Sequence, residues 1–209
     1  MALPHPDVSP SSFQGADVVV LPLRSLRRGK QRLQSVLSET ERSALIAAMA
    51  ERVVNAAFEL PVVVVHDDPE VAPWATERGA MAFRPQTPGL NHAVSASRDL
   101  LAALGANRLI IAHGDLPLVE DLRPMLSDST ISIAPDRHGD GTNVLCVPAA
   151  LGFDFAYGPG SFDSHCEIAR SLGIEPRIVS SPDLACDLDH PDDLAGLPPL
   201  PQLLEQDHR

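Results

Sequence analysis

Asp17-Val18-Val19-Val20-Leu21 and Pro61-Val62-Val63-Val64-Val65 are two short, continuously apolar, β-branched runs. A strand with one wet face alternates apolar and polar side chains, whereas one covered on both faces does not, so both runs read as buried strands. Between them Ser38 stands three residues before Glu41, the spacing of a helix capping box, and Leu45, Met49, Val53 and Ala57 recur at helical spacing. Strand, helix and strand form a β-α-β unit, and the class expected is α/β.

Further strands are expected at Met81 to Arg84, Arg108 to Ala112, Ile131 to Ala134, Thr142 to Val147 and Arg177 to Val179, with helices around Asn91 to Leu104 and Ser161 to Leu172. Their alternation predicts one domain over residues 17–197, an open, mostly parallel sheet flanked by helices. Ligands of such sheets lie outside the carboxyl ends of the strands. Residues 1–16 and 198–209, rich in Pro, Ser and polar groups without periodicity, read as a flexible arm and a flexible tail.

The composition agrees with one core. Of 209 residues 44% are hydrophobic and only 4% aromatic, so Val, Leu, Ile and Ala must fill the interior. A net charge of −12 disfavours nucleic acid and anionic membranes as partners. Against that field, residues 24–32 gather Arg24, Arg27, Arg28, Lys30 and Arg32, a local patch for small anions. Cys146, Cys166 and Cys186 form no C-x-x-C pair, and the MALPHPDVSP start lacks the basic and apolar regions of a signal peptide. A cytoplasmic location is expected.

Several segments carry chemistry. After the first strand, Gly29-Lys30-Gln31-Arg32-Leu33 offers a basic loop ahead of a helix, where a polyphosphate or only solvent would sit. The strand Leu109-Ile110-Ile111-Ala112 runs into His113-Gly114-Asp115-Leu116-Pro117. Asp115 therefore stands where a strand ends, either capping the turn or holding a metal. In Asp187-Leu188-Asp189 an extended backbone would put both carboxylates on one side, as magnesium ligands or, for Asp189, as the cap of the next helix. Two glycine-bearing loops, Ala134 to Asn143 and Tyr157-Gly158-Pro159-Gly160-Ser161-Phe162, read as turns or as an anion site, with Ser161 capping a helix. Asn91 opens another helix, either as its cap or as an amide for a base or ribose. His66, His92 and His113 are read first as packing or turn residues.

Taken together, Lys30-Gln31-Arg32-Leu33, Gly89-Leu90-Asn91, Gly114-Asp115-Leu116-Pro117, Asp136 to Asn143, Gly158 to Phe162 and Asp187-Leu188-Asp189 resemble the 2-phospho-L-lactate / phosphoenolpyruvate guanylyltransferases of coenzyme F-420 biosynthesis. The resemblance implies a nucleotidyltransferase fold of the nucleotide-diphospho-sugar transferase kind, with GTP as substrate and Mg²⁺ as cofactor. It implies metal on Asp115 and Asp187, with Asp189 beside them, and catalytic roles for Lys30, Asp115 and Asp187. Arg24, Lys30 and Asn91 are expected at the nucleotide, and Thr142, Gly158 and Ser161 at the phosphorylated acid. Arg24 stands where the resemblance leads one to expect a lysine, and His190 where it suggests a threonine.

The implied reaction is attack of the acid's phosphate on the α-phosphorus of GTP, with a separate deazaflavin transferase downstream. The acceptor is left open among phosphoenolpyruvate, 2-phospholactate and 3-phosphoglycerate, as is a homodimer. A transferase of another nucleotide or acceptor, or a nucleotide-binding regulatory protein without turnover, remain the alternatives.

Overall fold

The computed structural model describes residues 13–127 and 130–204. Its strands are β1 (Asp17–Pro22), β2 (Val62–Val65), β3 (Met81–Phe83), β4 (Arg108–Ala112), β5 (Ser132–Pro135), β6 (Thr142–Pro148) and β7 (Arg177–Ile178). They form one sheet in the order β3-β2-β1-β4-β6-β5-β7. The helices are α1 (Glu39–Ala56), α2 (Val71–Glu77), α3 (Leu90–Ala103), α4 (Ser161–Ser171), α5 (Pro182–Ala185) and α6 (Leu200–Leu204). Among the described residues no helix is long and apolar enough to cross a membrane.

The valine runs behave as their composition dictates. Val18, Val19, Val20 and Leu21 are all 0% exposed, because alternate side chains enter different cores. Val19 and Leu21 join Ala50 and Val53 of α1 and Trp74 of α2. Val18 and Val20 join Val94 and Leu101 of α3 and Ala169 of α4 on the other face. Each such side chain, fully buried, contributes about 1.5 to 3 kcal/mol, which is why these residues leave little choice but a doubly covered sheet. At the start of α1 the Ser38 amide donates to the Glu41 carboxylate at 2.8 Å and the Glu41 amide donates back to Ser38 Oγ at 3.3 Å, completing the capping box.

β1, β2, β3 and β4 run parallel, but β6 runs antiparallel to both β4 and β5. This reversal matters for function. It brings the beginning of β6, with Thr142 and Asn143, to the edge where β1, β2 and β4 end. The His113 amide there donates to the Asn143 carbonyl at 3.0 Å. The hairpin between β5 and β6 is held by Asp136, whose carboxylate accepts from the amides of His138, Asp140 and Gly141.

Three differences from the sequence reading have local causes. Val71–Glu77 forms α2 although Pro73 lies within it; in the first turn a proline gives up no intrahelical hydrogen bond. The order begins before Asp17: Phe13 is 5% exposed within the core on the α3 side, and the Gly15 amide donates to Gly105 O. Residues 198–204 are likewise not a tail. Leu200, Leu203 and Leu204, spaced for one helical face, pack α6 against Leu45 and Met49 of α1, and Leu203 is 2% exposed. Residues 1–12 and 205–209 of the expected arm and tail lie outside the described residues.

Candidate active site

At the carboxyl edge of the sheet Lys30 is the central cation. It lies at the start of a 3-10 turn (Gln31–Ser35) in the left-handed conformation, φ 52°, which costs a non-glycine residue about 1 to 2 kcal/mol. Its ammonium donates to Asp115 Oδ2 at 2.8 Å and to Asp189 Oδ1 at 2.7 Å, and its side chain is only 10% exposed. Burial works to lower its pKa, but the two carboxylates outweigh it and hold Lys30 above the ordinary lysine range. Burial likewise works to raise the Asp115 carboxyl, and the Lys30 charge and hydrogen bond, with His113, keep it below the usual carboxylate range.

Asp187 and Asp189 reach this place because Leu188 between them is pinned. Leu188 is 0% exposed in the cluster with Leu33 and Leu45, and its amide donates to Asp115 O at 3.1 Å. With the middle side chain inward, its neighbours are available to the edge. Burial, and then the negative charge of Asp115, raise the Asp187 carboxyl above its ordinary range. The Arg137 guanidinium stands 3.9 Å from Asp187 Oδ1, too far for a hydrogen bond. Asp115 Oδ1 and Asp187 Oδ1 are both buried without a hydrogen-bond partner among the described residues.

Those two oxygens are where a divalent cation fits. A hard cation satisfies unpaired carboxylate oxygens and removes the repulsion that raises Asp187, and magnesium completes its shell with phosphate and water. The set of three aspartates expected from sequence does not assemble, however. Among the described residues no three His, Cys, Asp or Glu side chains are grouped to hold a metal, and Asp189, unlike Asp115 and Asp187, has no buried oxygen left without a partner. Asp189 does not cap the following 3-10 turn (Pro191–Gly196) either: Asp193 Oδ2 accepts from the amides of Asp189 and His190.

Beyond β1, β2 and β3 opens a cleft of about 550 Å³. Pro22 and Arg24 line it after β1, His66 and Asp67 after β2, and Arg84 to Leu90 after β3. Its size suits a base and ribose. Arg24 pairs with Asp67 at 3.4 Å, Arg27 with Glu70 at 2.8 Å and Arg28 with Asp68 at 3.3 Å. The first two pairs are exposed and worth about 0 to 1 kcal/mol, so a triphosphate can exchange for those carboxylates at little cost, whereas Asp68 is 7% exposed and also accepts from Ser25 Oγ. His66, read from sequence as a packing or hydrogen-bonded turn residue, has its Nδ1 2.8 Å from Asp68 O and also lines the cleft, and burial lowers its pKa.

Asn91 is tied to the chain. Its Nδ2 donates to Tyr157 O at 3.1 Å and its Oδ1 accepts from the Tyr157 amide at 2.7 Å. The amide clamps the Tyr157 main chain edge to edge, using one of its two N–H groups and one of its two acceptor lone pairs. It does not cap α3, whose N-cap is Gly89.

The clamped segment leads into the glycine loop, where Gly158 has φ 142° and Gly160 φ 70°, values a side chain rarely adopts. A Cβ at either position would meet nothing within 4 Å, so the loop surface is open to a ligand. The helix start behind it is less open than expected. The Ser161 amide donates to Gly158 O and the Phe162 amide to Asp140 O. Gly160, not Ser161, is the N-cap of α4. Ser161 is 2% and Thr142 1% exposed, and the Thr142 amide donates to Ser161 Oγ at 3.0 Å. The Ala156 amide donates to His165 Nε2 at 3.0 Å, which puts the imidazole proton on Nδ1, where it donates to Thr142 Oγ1 at 3.0 Å. Burial lowers His165 to about 4, so this tautomer persists near neutrality. Both hydroxyls thus accept from the protein and keep their own protons as donors.

Ser161→Ala should therefore do two things. It strands the buried Thr142 amide, costing about 1 to 3 kcal/mol of stability, seen as a lower melting temperature. It should also weaken the phosphorylated acid severalfold while the GTP dependence stays put. Loss of stability with unchanged acid affinity would make Ser161 a loop tie alone.

A family model described as "Guanylyl transferase CofC like" matches residues 17–198. The chain belongs to this family. Among curated proteins it is similar to the phosphoenolpyruvate guanylyltransferase of Sphaerobacter thermophilus, 35% identical over 189 residues, covering 86% of this chain and 91% of that one. It is also similar to that of Rubrobacter xylanophilus, 37% identical over 187 residues, covering 85% and 91%. Among solved structures, a nucleotide-diphospho-sugar transferase type of protein from Desulfovibrio desulfuricans G20 gives a TM-score of 0.69 at 12% identity, covering 85% of this chain and 84% of that one. A 4-diphosphocytidyl-2C-methyl-D-erythritol synthase from Anaerococcus prevotii gives 0.58 at 6% identity, covering 90% and 96%. At such identities the structures speak for the fold alone. The guanylyltransferase family, the open sheet and its nucleotide-diphospho-sugar transferase architecture are as the motifs led one to expect.

Sequence reasoning missed His165, Asp67 and Arg84, and gave Tyr157 no role beyond heading the glycine loop. For Asp67 and Arg84, position just after a strand was an available signal. His165 and Tyr157 had none, since their roles depend on distant partners.

Proposed function

We propose that this guanylyltransferase transfers GMP from GTP to phosphoenolpyruvate with release of pyrophosphate, as a step in making the deazaflavin coenzyme F-420. The observation that carries the reading is the pair of buried, unpartnered carboxylate oxygens on Asp115 and Asp187, beside Lys30 and next to a nucleoside-sized cleft. The names of the relatives support the choice of acceptor.

An oxygen of the acceptor's phosphate attacks the α-phosphorus in line. A phosphoanhydride bond forms, the bond between the α-phosphorus and its bridging oxygen breaks, and pyrophosphate leaves. No protein nucleophile is needed. The chain's task is to hold two anions together and oriented, a contribution of several kcal/mol. Asp115 and Asp187 would hold Mg²⁺, which when bound offsets phosphate charge. Lys30 adds a fixed, desolvated positive charge, and Arg24 and Arg27 exchange their surface carboxylates for the triphosphate. Base and ribose enter the cleft between Arg24, His66 and Gln86, while Gly158, Thr142 and Ser161 receive the acid.

The test is to incubate the protein with GTP, magnesium and, in turn, phosphoenolpyruvate, 2-phospholactate and 3-phosphoglycerate, following pyrophosphate release. Phosphoenolpyruvate should give the highest kcat/KM. Absence of pyrophosphate with all three would remove the reading, and preference for another acid would reassign the acceptor.

A further inference from the structure

Two more buried polar atoms lack partners among the described residues on this side of the sheet: His113 Nε2 and Tyr157 Oη. Leaving a buried donor unpaired costs about 1 to 3 kcal/mol, so a neighbouring pair calls for an explanation. Tyr157 is 8% exposed and fixed almost everywhere except its hydroxyl. Asn91 takes both its backbone groups, its ring meets His165 edge-on at 4.8 Å, Phe155 stacks on it at 6.3 Å, and the His113 ring centroid lies 5.1 Å away. The packing thus uses the ring and the main chain and assigns nothing to the oxygen.

Chain position and contacts together place the pair. His113 is two residues before Asp115, and Tyr157 immediately precedes Gly158. The His113 amide donates to Asn143 O, next to Thr142, and the His165 ring that meets Tyr157 edge-on donates to Thr142 Oγ1, so the pair lies among the segments that carry Asp115, Thr142 and Gly158. We infer that Tyr157 Oη and His113 Nε2 form a binding site for the carboxylate of the acceptor. This rests on the guanylyl-transfer reading above and adds the recognition of the acid group to it.

The chemistry favours a carboxylate over the phosphate. The acceptor's phosphate must lie against the α-phosphorus, where Lys30 and the cation offset its charge. The carboxylate then needs donors of its own, placed to one side. A phenol O–H and an imidazole Nε2–H are two such donors. Burial raises the Tyr157 hydroxyl far above its ordinary range, so it keeps its proton at any working pH.

The experiment is Tyr157→Phe. Because the hydroxyl has no partner in the folded chain, its removal should leave the melting temperature unchanged or raise it, while the KM for phosphoenolpyruvate rises about tenfold, the worth of one charge-assisted hydrogen bond. The KM for GTP should stay within about twofold. Vinyl phosphate, which lacks the carboxylate, tested as an inhibitor, should bind wild type and variant equally. His113→Asn, which keeps a polar group at Nδ1 and deletes Nε2, should repeat the pattern. An unshifted phosphoenolpyruvate KM in Tyr157→Phe would overturn the inference, as would a clear fall in melting temperature, which would show a structural partner for the hydroxyl. Equal weakening of vinyl phosphate would move the contact to the phosphate and overturn the carboxylate assignment. If the wild type releases pyrophosphate and only the Tyr157→Phe shift is missing, this inference alone falls; if the wild type releases none with any acid, the parent reading falls and this one with it.

Discussion

Asp115→Asn and Asp187→Asn should each lower guanylyl transfer by more than tenfold, about 1.4 kcal/mol or more of barrier, without unfolding the chain. The amide keeps the size of the side chain and one oxygen but lacks the charge that makes a carboxylate a good magnesium ligand. The two variants should differ in stability. Asp115 also accepts from Lys30, so its amide weakens a mostly buried ion pair and lowers the melting temperature. Asp187 carries a buried carboxylate raised by burial and by Asp115, so its neutral amide removes repulsion and should leave stability equal or higher. Raising magnesium should recover part of the lost rate in either. Pyrophosphate release at the wild-type rate, at ordinary magnesium, would refute the cation assignment.

Lys30→Ala should raise the GTP requirement by about tenfold or more and change the KM for the acid much less. Lys30 is the least exposed of the loop's cations, and a charge held away from water attracts phosphate more strongly than Arg24, whose side chain is 85% exposed. Lys30→Arg should not restore it. The ammonium bridges Asp115 and Asp189 as a compact point charge from a left-handed backbone, and a planar fork does not fit between them. Titrating GTP at saturating phosphoenolpyruvate decides the matter. A GTP dependence like the wild type's, with only stability reduced, would make Lys30 a tie between two loops rather than a triphosphate ligand.

How much of this was legible in the chain depends on how far apart the cooperating groups lie. Each element expected from periodicity is present, because burial and capping act over a few residues: Val18 to Leu21 can satisfy themselves only inside a covered sheet, and Ser38 and Glu41 cap each other. What local pattern leaves open is strand direction. A signal existed, since the short connection from Pro135 to Thr142 cannot hold a crossover and so implies an antiparallel pair. α6 was missed because five residues with no charge pattern look like a tail until α1 supplies the apolar face they cover.

The sequence by itself determined the class of fold and the short motifs, hence the family, because hydrophobic periodicity and residue order are properties of a line. Only the tertiary structure decided which polar atoms are spoken for. Asp189 and Asp115 both accept from Lys30, Asn91 bonds the Tyr157 main chain at both its nitrogen and its oxygen, and one oxygen each on Asp115, Asp187 and Tyr157 is left unpaired among the described residues. The physical reason is that a hydrogen bond or an ion pair is settled within about 3 to 4 Å in space. Lys30 meets Asp189, and Asn91 meets Tyr157, across long stretches of chain that local spacing does not measure.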